Sequence, residues 1–212
     1  MKKILGILCH PDDEVLQGWP IFQRTDIEKH LVILCNGVRR KGIGRMRALE
    51  AVCSQENINL YCAMAEDNNF YALPTRRSDY TLGRAVKHIN HAIAGAVNEI
   101  QPDLVFSHNP VGEYGHGSHR LCFELVSQHP SVKDLIFTDI CQESNHRSSS
   151  VIPKVIQEAY YASDYTMNEN MQKLDMQFYE RCYNTYMKYH AWTWNKAPIT
   201  KCDLYYLGTQ NV

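Results

Sequence analysis

"KILGILCHPDDEV", residues 3–15, sets a short apolar run directly against a histidine and three consecutive acids. A run of this length, bounded by a proline turn, reads as a strand buried on both faces. Pro11 fixes the chain after His10, and Asp12, Asp13 and Glu14 suit the first turn of a helix, where the dipole favours negative charge. That helix carries Val15, Leu16, Trp19, Ile21 and Phe22, with Pro20 shortening or kinking it. Four ionisable groups at one strand end repel one another. A positive group among them would offset that repulsion.

The same strand–helix rhythm continues outward. "HLVILCNG" (30–37) reads as a second buried strand closed by an Asn-Gly turn, and a basic loop then leads into a helix over 45–56. "INLYCAM" (58–64) is strand-like, and 80–100 has helical periodicity through Leu82, Ala85, Ile89, Ile93 and Val97. "DLVFSH" (103–108), a helix over 117–128 and "DLIFTDI" (134–140) follow. Strands alternating with helices imply right-handed crossovers and a parallel sheet. The expected fold is α/β, a Rossmann-like doubly wound, mostly parallel sheet with helices on both faces. From about residue 151 the chain reads as helical and Tyr-rich: a helix near 152–161, a long one over 167–194, and a closing strand, "CDLYYLG". No linker divides the chain, which is expected to form a single domain over 1–212.

Composition narrows the function. The 212 residues are 44% hydrophobic and 21% charged, with a formal net charge of −1. That balance gives no global attraction to nucleic acid or to an anionic membrane. Eight cysteines occur without a C-x-x-C pair, several of them in apolar runs, which fits buried reduced thiols. The N-terminal apolar stretch is too short for a signal peptide and no run reaches the length of a membrane span, so a cytoplasmic location is expected.

Ligands of open α/β sheets bind beyond the carboxyl ends of the strands. The 10–14 cluster follows the first strand and "EYGHGSH" (113–119) follows the strand at 103–108, so both loops open on one edge. His10, an Asp, and His116 or His119 would there make a site of two histidines and one carboxylate. Three protein ligands leave a position for water, as in catalytic zinc centres.

"HPDDE" after an N-terminal strand, with "GHGSH" after a later one, resembles the PIG-L/LmbE-like zinc-dependent de-N-acetylases over roughly residues 1–140. The resemblance implies zinc, or another divalent metal such as Fe2+, on His10, Asp13 and His119. It makes Asp12 the general base and gives protonated His116 a part in stabilising the tetrahedral intermediate. The implied reaction is metal-dependent removal of the N-acetyl group from an amino sugar or glycoconjugate by an activated water. Arg47, in an R-x-x-E with Glu50, and Asp67 resemble family residues near the substrate, and Glu113 stands where relatives carry an acid upstream of the second motif; these three are the candidate substrate-binding residues. The chain departs from the family in Gln17-Gly18-Trp19-Pro20, where many members have a glycine-rich turn.

Other readings stay open on the sequence. The same groups would serve hydrolysis of another small amide or carbamate. A metal-containing binding module would not need Asp12 as a spare base. An iron oxygenase triad shares the H-x-D spacing but belongs to all-β barrels. The basic loop of Arg39, Arg40, Lys41, Arg45 and Arg47 suits a phosphorylated or nucleotide-linked substrate, or simply a solvated surface. His88 and His91, mid-helix and without a carboxylate, read as a surface or packing pair. "HAWTW" (190–194) offers aromatic faces on which a carbohydrate can stack. The expected partner is a small N-acetylated molecule, with no nucleic acid and no stable membrane insertion, and an oligomer is compatible with the sequence.

Overall fold

The computed structural model describes residues 1–35, 42–65, 79–140 and 166–208. In chain order these form β1 (Lys2–Leu8), α1 (Asp13–Leu16), α2 (Trp19–Phe22), β2 (Ile27–Cys35), α3 (Gly42–Gln55), β3 (Ile58–Ala65) and α4 (Asp79–Ile100). There follow β4 (Leu104–Ser107), α5 (Gly112–Gly115), α6 (Gly117–Ser127), β5 (Asp134–Thr138), β6 (Thr166–Lys173), α7 (Met176–Lys188) and β7 (Lys201–Gly208). The strands make one sheet in the order β3-β2-β1-β4-β5-β7-β6. The first five are parallel, whereas β7 runs antiparallel to both β5 and β6. This is the expected doubly wound, mostly parallel α/β arrangement.

Period-2 alternation divides β1 between two cores. Ile4 and Leu8 face a layer built from Trp19, Phe22, Leu49, Val52, Phe178 and Tyr186, contributed by α2, α3 and α7. Leu5, Ile7 and Cys9 face the opposite layer, with Ile89, Ile93 and Val97 of α4 and Phe123 and Val126 of α6. Gly6 lies on the first face, where a Cβ would stand 2.5 Å from Phe22 Cζ. The missing side chain lets α2 sit directly on the strand.

Pro20 divides the expected first helix. Two four-residue helices, α1 and α2, replace it, with Pro20 near the start of the second, where its missing N–H costs nothing. Trp19 is fully buried in the core. The long helix expected over 167–194 is corrected more heavily. Thr166–Lys173 is an edge strand, and the helix begins only at Met176, where the Asp175 side chain accepts from the Gln177 backbone N–H at 2.9 Å. "TMNENMQK" lacks the apolar alternation of a half-buried strand, and among the described residues it forms the edge of the sheet. The helix expected near 152–161 lies outside the described residues. His88 and His91 are exposed on α4, and His88 Nε2 donates to the Ala63 carbonyl at 2.6 Å, a packing role. No helix among the described residues is long and apolar enough to cross a membrane.

Candidate active site

The strand order reverses between β1 and β4, and the loops after these two neighbours converge at that switch point. His10 Nδ1 lies 3.2 Å from His119 Nε2, and Asp13 Oδ2 lies 3.5 Å from each of those nitrogens. A tetrahedral ion with bonds of about 2.1 Å holds its donors about 3.4 Å apart. The three atoms therefore fit a zinc-sized divalent cation. His116 joins His10 and His119 in a second overlapping group, and His108 joins Asp13 and His119 in a third.

His108 was not singled out by the sequence. It follows β4 immediately, stacks on His119 with ring centroids 3.9 Å apart, and reaches within 3.3 Å of Asp13 Oδ2. Its position at a strand's carboxyl end was the available signal. The Cys9 N–H donates to His108 Nε2 at 3.0 Å. Burial opposes a charge on this ring, but the Glu113 and Asp13 carboxylates beside it outweigh burial and raise its pKa to about 9.

Glu113 is buried beneath the cluster. Its Oε2 accepts from His119 Nδ1 at 2.6 Å, and both of its oxygens lie 3.2 Å from His108 Nδ1. Burial works against its charge, yet the two histidines hold it below the ordinary glutamate range. The Asn109 N–H donates to Oε1, while Asn109 Oδ1 accepts from the N–H groups of Val111 and Glu113. Glu113 sits at φ 55 within this network, next to Gly112 at φ 71. Carboxylates placed so behind a ligating histidine fix its tautomer and orientation.

Three acids in a row are accommodated by three different devices. Asp13 faces the histidines, which hold its carboxyl well down against the cost of burial. Asp12 Oδ1 accepts from Arg45 Nη2 at 2.6 Å and its Oδ2 from the Thr193 hydroxyl at 2.6 Å. Burial raises Asp12 nonetheless, with Arg45 opposing. Glu14 is pushed up to about 8 by burial, against the bond from Tyr186 Oη at 2.6 Å. Asp12 occupies the left-handed region at φ 96, a strained conformation that persists only where its surroundings over-determine it. Pro11, Arg45, Thr193 and the Asp12 N–H bond to Glu14 Oε2 at 3.0 Å are those surroundings.

The cation facing the acids is thus partly built in. Arg45, read from sequence with the basic loop, is buried and turned inward to Asp12 and the Pro11 carbonyl. Arg47, two positions on, is exposed together with Glu50. Asp67, Arg39, Arg40 and Lys41 lie outside the described residues. His116 packs edge-on to His10, with centroids 5.1 Å apart, and burial together with His119 and His10 pushes its pKa far down. Tyr186, Thr193 and Trp194 come from the C-terminal third, and no sequence motif ties the first two to the site.

The doubly wound α/β sheet thus carries, at one edge, a histidine–carboxylate cluster that could hold a metal ion, beside the separate buried carboxylate of Asp12. Residues 5–129 match the family described as PIG-L: GlcNAc-PI de-N-acetylase, and the chain belongs to that family. Among solved structures, a deacetylase from the biosynthesis pathway of teicoplanin aligns with TM-score 0.63 at 12% identity, over 100% of both chains. The zinc-inhibited form of teicoplanin deacetylase Orf2 gives the same values. The A40926 pseudoaglycone deacetylase Dbv21 aligns with TM-score 0.55 at 14% identity, over 89% of this chain and 81% of that one. At such identities the likeness establishes the fold. Comparison with curated proteins gives no match.

Proposed function

We propose that the protein is a metal-dependent N-deacetylase that removes the acetyl group from an amino sugar or glycoconjugate. The observation that carries this reading is the convergence of His10 Nδ1, Asp13 Oδ2 and His119 Nε2 at 3.2–3.5 Å beside the carboxylate of Asp12. Membership of a de-N-acetylase family supports it, as do neighbours whose names place them on glycosylated antibiotics. The single sheet running from Lys2 to Gly208 supports treating the chain as one domain.

His10, Asp13 and His119 would hold the cation. Bound there, zinc would polarise the amide carbonyl and lower the pKa of water. Asp12 accepts a proton from the attacking water and passes it to the departing amine, so that amide and water become acetate and amine. A base whose pKa is raised by burial suits that exchange. His116 would help to stabilise the oxyanion of the tetrahedral intermediate. Glu113 orients His119 from below instead of facing substrate. Arg47 and Asp67 remain the proposed substrate contacts, Arg47 from the exposed side of α3.

The test is amine release from a panel of N-acetyl sugars, free, phosphorylated and nucleotide-linked, with purified protein, Asp12→Ala and chelator-treated protein. Release by the first alone is expected. Metal uptake without release from any member would move the chemistry to another amide, and an absence of metal uptake would overturn the reading.

A further inference from the structure

Beyond α7 the chain runs as an irregular strap, residues 189–200, that reaches Asp12 and Tyr114 of the site. It lies outside the residues 5–129 that match the family. Its anchorage is specific. Trp192 packs edge-on against Tyr179, Tyr183 and Tyr186. The Thr193 hydroxyl donates to Asp12 Oδ2 at 2.6 Å. These two contacts deliver Trp194, half-buried, onto Tyr114, with ring centroids 5.3 Å apart and planes inclined by 39°. Tyr114 in turn stands edge-on to His116 at 5.3 Å and to His119 at 5.5 Å. Among the described residues the Trp194 indole N–H has no hydrogen-bond partner, although buried polar groups are nearly always paired.

We infer that Trp194, held by the strap beside Tyr114, is the specificity-determining surface on which the pyranose ring of the N-acetylated substrate stacks. The inference rests on the deacetylase reading above. The ring carbon that bears the acetamido group is two bonds from the carbonyl carbon that reacts. A sugar whose amide reaches the His10–Asp13–His119 cluster therefore places its ring one side chain away, where Tyr114 and Trp194 stand. The C–H face of a pyranose is apolar and covers an aromatic face, while its hydroxyls need a few placed polar groups. A small turn of the indole offers its N–H to one of those oxygens. Thr193 acts as a positioning residue that ties this surface to Asp12, so the reader of the sugar and the base move as one piece.

The experiment compares the zinc-loaded wild type with Trp194→Leu, which keeps apolar bulk without a π-face, and Trp194→Phe, which keeps a smaller face. For each, kcat and KM are measured on N-acetylglucosamine and on the acyclic amide N-acetylethanolamine, and glucosamine is titrated calorimetrically. Trp194→Leu is expected to raise KM for the sugar about tenfold. The preference for sugar over acyclic amide should fall by the same factor, with Trp194→Phe recovering most of it. Equal losses on both amides, or an unchanged sugar KM, would overturn the inference. If the wild type releases no amine from either compound, the deacetylase reading on this sugar fails, and the titration decides the stacking surface separately. Glucosamine binding that Trp194→Leu loses and Trp194→Phe keeps upholds it. Binding kept by Trp194→Leu, or absent in the wild type, overturns it.

Discussion

Glu113 and His119 meet at 2.6 Å, carboxylate oxygen to ring nitrogen, inside a turn where Glu113 itself has a positive φ. The bond turns Nε2 of His119 toward His10 and Asp13. Glu113→Gln keeps the shape but offers its amide in place of an anion. Zinc affinity should fall by about 10–100-fold, the usual cost of losing such a carboxylate. Competition against a chromophoric chelator measures it, and an unchanged affinity would show that the turn alone orients the ring.

Arg45 and Asp12 form a buried pair whose halves depend on each other. Arg45→Met leaves the Asp12 charge without its main partner and should cost about 3–5 kcal/mol of stability. Adding Asp12→Asn removes the stranded charge and should restore a large part of that loss. Urea denaturation of the two single variants and the double variant gives the coupling. Additive losses would mean that Asp12 and Arg45 do not depend on each other.

Gly6 and Phe22 set the distance between β1 and α2. A methyl group at position 6 would fall 2.5 Å from a fully buried ring. Gly6→Ala should therefore destabilise the fold by about 1–3 kcal/mol through overpacking. Combining it with Phe22→Leu should recover part of the loss. A Gly6→Ala variant as stable as the wild type would mean that the ring has room to move aside.

Arg181 grips Glu56 with two bonds of 2.9 Å, tying α7 to the end of α3. Burial raises the Glu56 carboxyl, but the bonds from Arg181 and Gln55 and the charges of Arg181 and Lys29 leave it lowered overall. A lowered carboxylate stabilises the fold above its unfolded pKa, about 4.3 for glutamate, and loses that contribution as pH falls through the folded value. Arg181→Gln should cost about 0.5–1 kcal/mol at pH 7, since the arginine is largely solvent-exposed. The gap from wild type should close on acidification below that range. A gap that stays constant with pH would assign the effect to packing.

The parts of the molecule legible in the sequence are those in which burial imposes a pattern. β1 and β2 are covered on both faces and read as continuous apolar runs. The acids and histidines at the strand ends are separated by chain distances that a parallel sheet brings together, so His10, Asp13 and His119 were recoverable. β6 was not, because an edge strand needs no apolar face and Thr166–Lys173 has none. Nor was the choice between Arg45 and Arg47. Two positions on a helix lie about 200° apart, and only the packing of α3 decides which faces Asp12. Thr193 reaches Asp12 across 181 positions, and nothing local in either stretch announces the contact.

That separation also orders the life of the molecule during synthesis. The histidine–carboxylate cluster is complete in sequence once residue 119 has been made, and β1 can pair with β4 soon afterwards. The hydroxyl on Asp12 and the indole beside Tyr114 arrive only with residues 193 and 194. A ribosome-bound chain can therefore bring His10, Asp13 and His119 together well before Thr193 reaches Asp12.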